Sequence, residues 1–239
     1  MQTLLNTPHE IIQQNILGAA AKAKTRILNI LVLGMMAGSF IAMGAQSSSL
    51  AVHNISNIGL ARTLAGWIFP VGLMMIVFVG GELFTGDCMM SMAWMQRKIH
   101  FADMLRTLVL VYVSNFVGAA LIAFLVAHSG QYDYSFGALG AYTIKVAYGK
   151  VHLSFANALV SGILCNILVC VAVLMAAAAK DIAGKVLAIF FPILAFVVSG
   201  FEHCVANMYY IPAGIFASKN AAYAAKAFEF YNIDSTQLS

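Results

Sequence analysis

Apolar residues run together along this chain for twenty or more positions at a time, and polar residues gather in the short stretches between them. A bilayer core needs ~20 mostly apolar residues per crossing helix. Five stretches meet that length, at about 27–46, 65–95, 104–128, 154–179 and 186–216. The second and fifth are too long for one uninterrupted helix. The second holds Gly80-Gly81 and Gly86-Asp87, and the fifth holds Pro192, Gly200 and Pro212, so both are predicted to be discontinuous. Ahead of the first span, Ile11, Ile12, Asn15, Ile16 and Ala19 fall at helical spacing with Pro8 near the start. That spacing predicts an amphipathic helix within residues 1–24, lying on the membrane or plugging a pore mouth. Residues 129–153, rich in Gly and Tyr, are expected to be a polar loop, and 218–239 a polar or weakly amphipathic tail. The expected organisation is a single membrane domain over 1–239. It has an interfacial helix in 1–26, five transmembrane spans in 27–217 and a tail in 218–239.

Composition strengthens this picture. The 239 residues are 62% hydrophobic and 9% charged, with mean hydropathy +0.87. Soluble domains carry roughly 25% charged residues, which form the polar shell this chain lacks. An all-α integral membrane protein follows. The net charge of +4 is small and scattered, and no nucleic-acid partner is expected. The first 26 residues are polar and hold Lys22, Lys24 and Arg26, so no cleavable leader is read there. Lys and Arg near the span ends divide eight to five. The richer side, with Lys22, Arg97, Lys98, Arg106, Lys180 and Lys185, is expected to be cytoplasmic, and the N-terminus with it. The poorer side holds Arg62, Lys145, Lys150, Lys219 and Lys226.

The informative residues are polar groups deep in apolar runs. Glu82, Asp87, Glu202 and His203 are the ionisable ones. Each costs at least ~2.5–3.5 kcal/mol at a helix centre unless it is paired, neutral or wetted. They fall in two similar strings, GELFTGDCM at 81–89 and GFEHCVANM at 200–208. Each starts with Gly and ends with Met, and the pair lie three spans apart, in spans two and five. Corresponding Gly-interrupted segments in two inverted halves point to a substrate path at the midplane. Carboxylates and Asn207 suit the satisfaction of backbone groups freed at a helix break. His203 suits a pore, because an imidazole offers a donor or a proton near neutral pH. Thr85 offers a hydroxyl in the matching string. Asn115 and Asn166 sit inside spans three and four, where interhelical hydrogen bonding and pore lining are both open. Lys150 at a span edge either snorkels or raises the local anion concentration.

Assembled, GELFTG (81–86), SNFVGA (114–119), GILCNILVCVAV (162–173) and GFEHCVANMYYIPAG (200–214) resemble the formate/nitrite transporter family over roughly residues 10 to 220. The resemblance implies an aquaporin-like inverted-repeat bundle with two discontinuous helices, in spans 2 and 5, assembled as a homopentamer with one pore per protomer. It implies passage of formate, nitrite or hydrosulfide. His203 matches the central pore histidine and Thr85 the threonine opposite. Asn166 and Lys150 match a pore-side asparagine and a vestibule lysine. Leu73, Leu83 and Phe196 match the apolar constrictions, while Glu82, Glu202 and Asn207 match supports of the broken helices. The family has six spans, and no ~20-residue apolar run follows Phe216, so the sixth span is expected to be missing from these residues.

The expected function is transport of a small inorganic or one-carbon monovalent anion across the cytoplasmic membrane, coupled to protons through His203. No enzyme activity, cofactor or metal is expected. Cys88, Cys165, Cys170 and Cys204 show no C-x-x-C spacing and read as small apolar side chains. A membrane enzyme using Cys204 and His203 is disfavoured, because adjacent residues on a helix point about 100° apart. The alternative reading is a neutral-solute or ammonium channel of aquaporin-like shape. The absence of N-P-A and the lysines on the poorer side speak against it.

Overall fold

In the computed structural model, which describes residues 5–238, the chain is helical, with one isolated bridge between Leu5 and Ala179. Residues 1–4 of the expected interfacial segment and Ser239 lie outside the described residues. Helix α1 is Pro8–Lys22. Thr7 caps it by accepting from the Glu10 N–H while the Glu10 carboxylate accepts from the Thr7 N–H. These bonds hold the Glu10 carboxyl below its ordinary range.

Span one is α2, Ile27–Val52. Span two is four pieces of helix. α3, Ile58–Ile68, passes through Phe69 and Pro70 into α4, Val71–Val79, and after a break at 80–83 come α5, Phe84–Asp87, and α6, Met90–Met95. Span three is α7, Phe101–Ala127, and span four is α9, Phe155–Ala178. Span five is α10, Ile182–Ser199, then a break at 200–203 and α11, Cys204–Ser218. Among the described residues, five helical stretches are long and apolar enough to cross a bilayer, two of them running into the breaks. The second begins at Ile58, ahead of the expected 65, because Arg62 interrupts the apolar pattern without interrupting the helix.

The expected loop at 129–153 is corrected. After a short 3-10 turn and a left-handed stretch at Ser135, Phe136 and Gly137, these residues wind into α8, Tyr134–Val151. Its small residues allow close packing: Ala147 meets Gly214 of α11, and the Tyr223 ring fills the space beside Gly140. In the tail, α12, Ala221–Tyr231, lies on α8. Tyr223 Oη donates to Asp133 Oδ1 (2.6 Å), and Lys226 Nζ donates to the Phe136 carbonyl.

Helices in lipid gain little from apolar burial against each other, so close backbone approach decides their packing. α2 and α7 show it. A methyl group added to Gly38 would lie 2.0 Å from the Asn115 carbonyl oxygen, and one on Gly118 the same distance from that of Met35. The main core gathers Ile41, Phe69, Leu73, Leu83, Val169, Ile193 and Phe196 around the two breaks.

Candidate functional site

The two breaks share a plan. Each ends its first helix on a glycine with positive φ, Gly80 at 102° and Gly200 at 72°. Each then runs through two residues to an extended N-cap, Leu83 or His203, from which the second helix starts. The sequence match pairs Gly81 with Gly200. The backbone instead pairs Gly80 with Gly200, which brings Glu82 opposite Glu202, Leu83 opposite His203 and Asp87 opposite Asn207.

Each glutamate meets a lysine from outside its break. Lys150 Nζ lies 2.7 Å from Glu202 Oε1, and Asn207 Nδ2 donates to Glu202 Oε2 at 2.9 Å. Lys22 Nζ lies 2.5 Å from Glu82 Oε2 and 2.5 Å from Asp87 Oδ1. Lys22 and Lys150 both stand five residues ahead of a spanning helix, α2 and α9.

His203 is buried between the breaks. Its Nδ1 accepts from the Ala206 N–H (3.1 Å) and so caps α11. An accepting Nδ1 leaves the ring proton of neutral imidazole on Nε2. That nitrogen faces Thr85 Oγ1 at 3.3 Å. Phe196 lies nearly parallel to the imidazole, with centroids 5.8 Å apart, and Phe69 meets Phe196 edge-on.

Four voids lie in series, each sharing lining residues with the next. A wide antechamber of about 660 Å³ is lined by Arg62, Lys145 and Tyr142. A vestibule of about 150 Å³ follows, with Lys150, Asn207, Tyr210, Phe196 and His203. Next comes a chamber of about 10 Å³ walled by Leu73, Leu83, Phe196 and His203, the size of a single water. Beyond Leu73 and Leu83 a void of about 320 Å³ opens, roofed by Gln14, Asn15, Gly18 and Lys22 of α1 and floored by Asp87. α1 thus lies across one mouth.

Of the residues expected from sequence, His203, Leu73, Leu83, Phe196 and Lys150 line this series, and Thr85 touches it through His203. Glu82, Glu202 and Asn207 stand at the breaks. Asn166 is placed elsewhere. It lines an apolar groove with Thr85, Glu202, Cys88, Cys165, Cys170 and Cys204, and its Oδ1 is buried without a hydrogen-bond partner. Among the described residues, no three His, Cys, Asp or Glu side chains gather as a metal site.

The structure adds contributors whose roles the linear pattern leaves open. Asn115 left its two readings open, and the structure gives it a definite task. Its Nδ2 donates to the Gly34 and Glu82 carbonyls (2.8 Å each), and its Oδ1 accepts from the Phe84 N–H (3.0 Å). Lys22 and Arg62 entered only as charges for orientation. Gln46 accepts from Tyr209 Oη and donates to Gln131 Oε1 (2.5 Å), a buried polar string visible in sequence only as a Gln at the end of an apolar run.

A family model described as formate/nitrite transporter matches residues 9–233. The chain is 38% identical over 216 residues to the formate channel BtFdhC of Bacillus thuringiensis, covering 88% of this chain and 82% of that one. It is 34% identical over 196 residues to the formate channel FocA of Escherichia coli (strain K12), covering 81% and 69%. A solved structure described as a pentameric formate channel with formate bound superimposes with TM-score 0.76 at 28% identity, covering 89% of this chain and 84% of that one. A second, described as an FNT family ion channel, gives 0.80 at 26% identity, covering 96% and 92%.

Proposed function

Since the chain belongs to the formate/nitrite transporter family, we propose that it forms a pore for a small monovalent weak-acid anion, formate, nitrite or hydrosulfide, in the cytoplasmic membrane. The observation that carries this reading is the buried His203 ring. It walls the narrowest void, with apolar side chains on either side and wider, lysine-bearing voids beyond.

Arg62 and Lys145 in the antechamber raise the anion concentration at one mouth, where Lys150 is paired with Glu202 and lines the way in. Entry between Phe196 and Leu83 strips water from the anion, and an unpaired charge there is costly. The Nε2–H of His203 and the hydroxyl of Thr85 replace part of the lost hydration at that point. Leu73 and Leu83 then exclude water from the narrowest passage. Transfer of a proton from imidazole to the anion needs the second ring nitrogen protonated, which breaks the Ala206 N–H bond and the cap of α11. The neutral ring therefore serves as a hydrogen-bond donor, and coupled proton movement takes place only when that cap yields.

We place the N-terminus in the cytoplasm from the Lys/Arg bias, and five 25.6 kDa chains in the assembly by analogy with the pentameric neighbour. Flux of formate, nitrite and hydrosulfide into proteoliposomes tests the reading. His203→Phe keeps an aromatic ring but removes both the Nε2 donor and the Nδ1 cap of α11, and is expected to slow formate at least about tenfold, the scale of a lost charge-assisted hydrogen bond. Unchanged rate and pH dependence in that variant would remove the histidine from the mechanism.

A further inference from the structure

The two breaks match in backbone and differ in charge. At the Lys150 mouth one ammonium faces one carboxylate, and the residue five positions beyond that carboxylate, Asn207, is neutral. Its amide donates to Glu202 Oε2 at 2.9 Å. At the Lys22 mouth the equivalent position is Asp87. Two carboxylates then lie within 2.5 Å of one ammonium, so the oxygens facing it are no more than about 5 Å apart. The Asp87 side chain is 2% exposed, and its Oδ2 is buried with no hydrogen-bond partner. Asn207 Oδ1 is likewise unpartnered, but an amide oxygen carries no net charge to desolvate. Lys22 from α1, Glu82 from the break and the neighbouring Cys88 thiol are the titratable groups facing Asp87, while α9 offers only Val173 and Ala177 to the same void.

Two carboxylates held against one ammonium cannot both stay ionised at low cost, and they commonly share a proton. A protonated Asp87 is neutral and carries a donor, as Asn207 always does. We propose that Asp87 and Glu82 form a proton-binding site at the Lys22 mouth, and that loss of this proton turns the mouth from neutral to anion-repelling. The Lys150 mouth has no such control. With the proton bound, the mouth holds one ammonium and one carboxylate, like its counterpart. With it gone, a net negative charge lines the void of about 320 Å³ that an anion must cross. The inference rests on the pore reading above in taking these voids as the anion's route.

The test sets pH separately at each face, using right-side-out and inverted membrane vesicles, over about pH 6 to 8, where formate stays ionised. Raising pH at the Lys22 face is expected to lower formate flux about tenfold, the low end of what a charged mouth does to local ion concentration. Raising it at the opposite face leaves flux level. Asp87→Asn should abolish the dependence and hold flux near its low-pH value. Asn207→Asp should create a new dependence at the Lys150 face, and it decides the matter if Asp87→Asn does not reach the membrane. Equal profiles at both faces of the wild type, or an Asp87→Asn profile like the wild type's, overturns the proposal. So does an Asn207→Asp protein with no new dependence. Absence of flux in every protein, wild type included, strikes at the pore reading, whereas intact flux with unaltered profiles strikes at the carboxyl pair alone.

Discussion

The break at 80–83 is held from outside, and the break at 200–203 largely holds itself. At the N-cap of α11, His203 caps with its own ring. At the N-cap of α5 the chain places Leu83, which has no polar atom to offer, and Asn115 of α7 reaches across to accept from the Phe84 N–H. The Glu202 N–H finds the Ser161 hydroxyl at 2.9 Å, while the Glu82 N–H finds the Leu33 carbonyl at 3.2 Å. A leucine side chain cannot cap a helix, so the duty passes to a neighbouring span. One side chain then carries three hydrogen bonds, and the first break depends on it more than the second depends on any one residue.

That contrast can be broken by substitution. Asn115→Leu leaves the Glu82 carbonyl and the Phe84 N–H buried without partners and takes a second bond from the Gly34 carbonyl of α2, and is expected to cost about 3 kcal/mol. A fall in unfolding temperature in detergent would report it. Gly80→Ala should follow at about 2 kcal/mol, because φ 102° with ψ 146° lies near a region essentially reserved for glycine. Gly200→Ala should cost about 1 kcal/mol, since φ 72° with ψ 27° is the milder left-handed helical region. Ser161→Ala removes one hydrogen bond at the second break and should cost about 1 kcal/mol. If Ser161→Ala destabilises as much as Asn115→Leu, the two breaks are held alike and the contrast is lost.

The breaks were legible because glycine and ionisable residues have few reasons to interrupt an apolar run. His203, Leu73, Leu83 and Phe196 were placed by resemblance, and the structure brings them to one chamber. The register between the breaks was one residue off, since sequence matches identical letters whereas the backbone matches positive φ. α8 escaped notice because its Gly, Tyr and Lys content reads as a loop, and only packing against α11 and α12 makes it a helix. Lys22 was seen as a surface charge because Glu82 and Asp87 lie 60 or more residues away in sequence. Asn166 is a different case, lying in the groove that Thr85 and Glu202 also line. A polar residue in an apolar span points to some buried purpose, but which face of α9 it occupies was set by packing that the linear pattern does not record.

The N–H of Ala206 is bound to the imidazole and not to a carbonyl. A backbone amide in that arrangement senses the electronic state of the ring directly. Hydrogen exchange or the chemical shift at residue 206 thus becomes a built-in gauge, quiet while the ring is neutral and released once its acceptor nitrogen is taken.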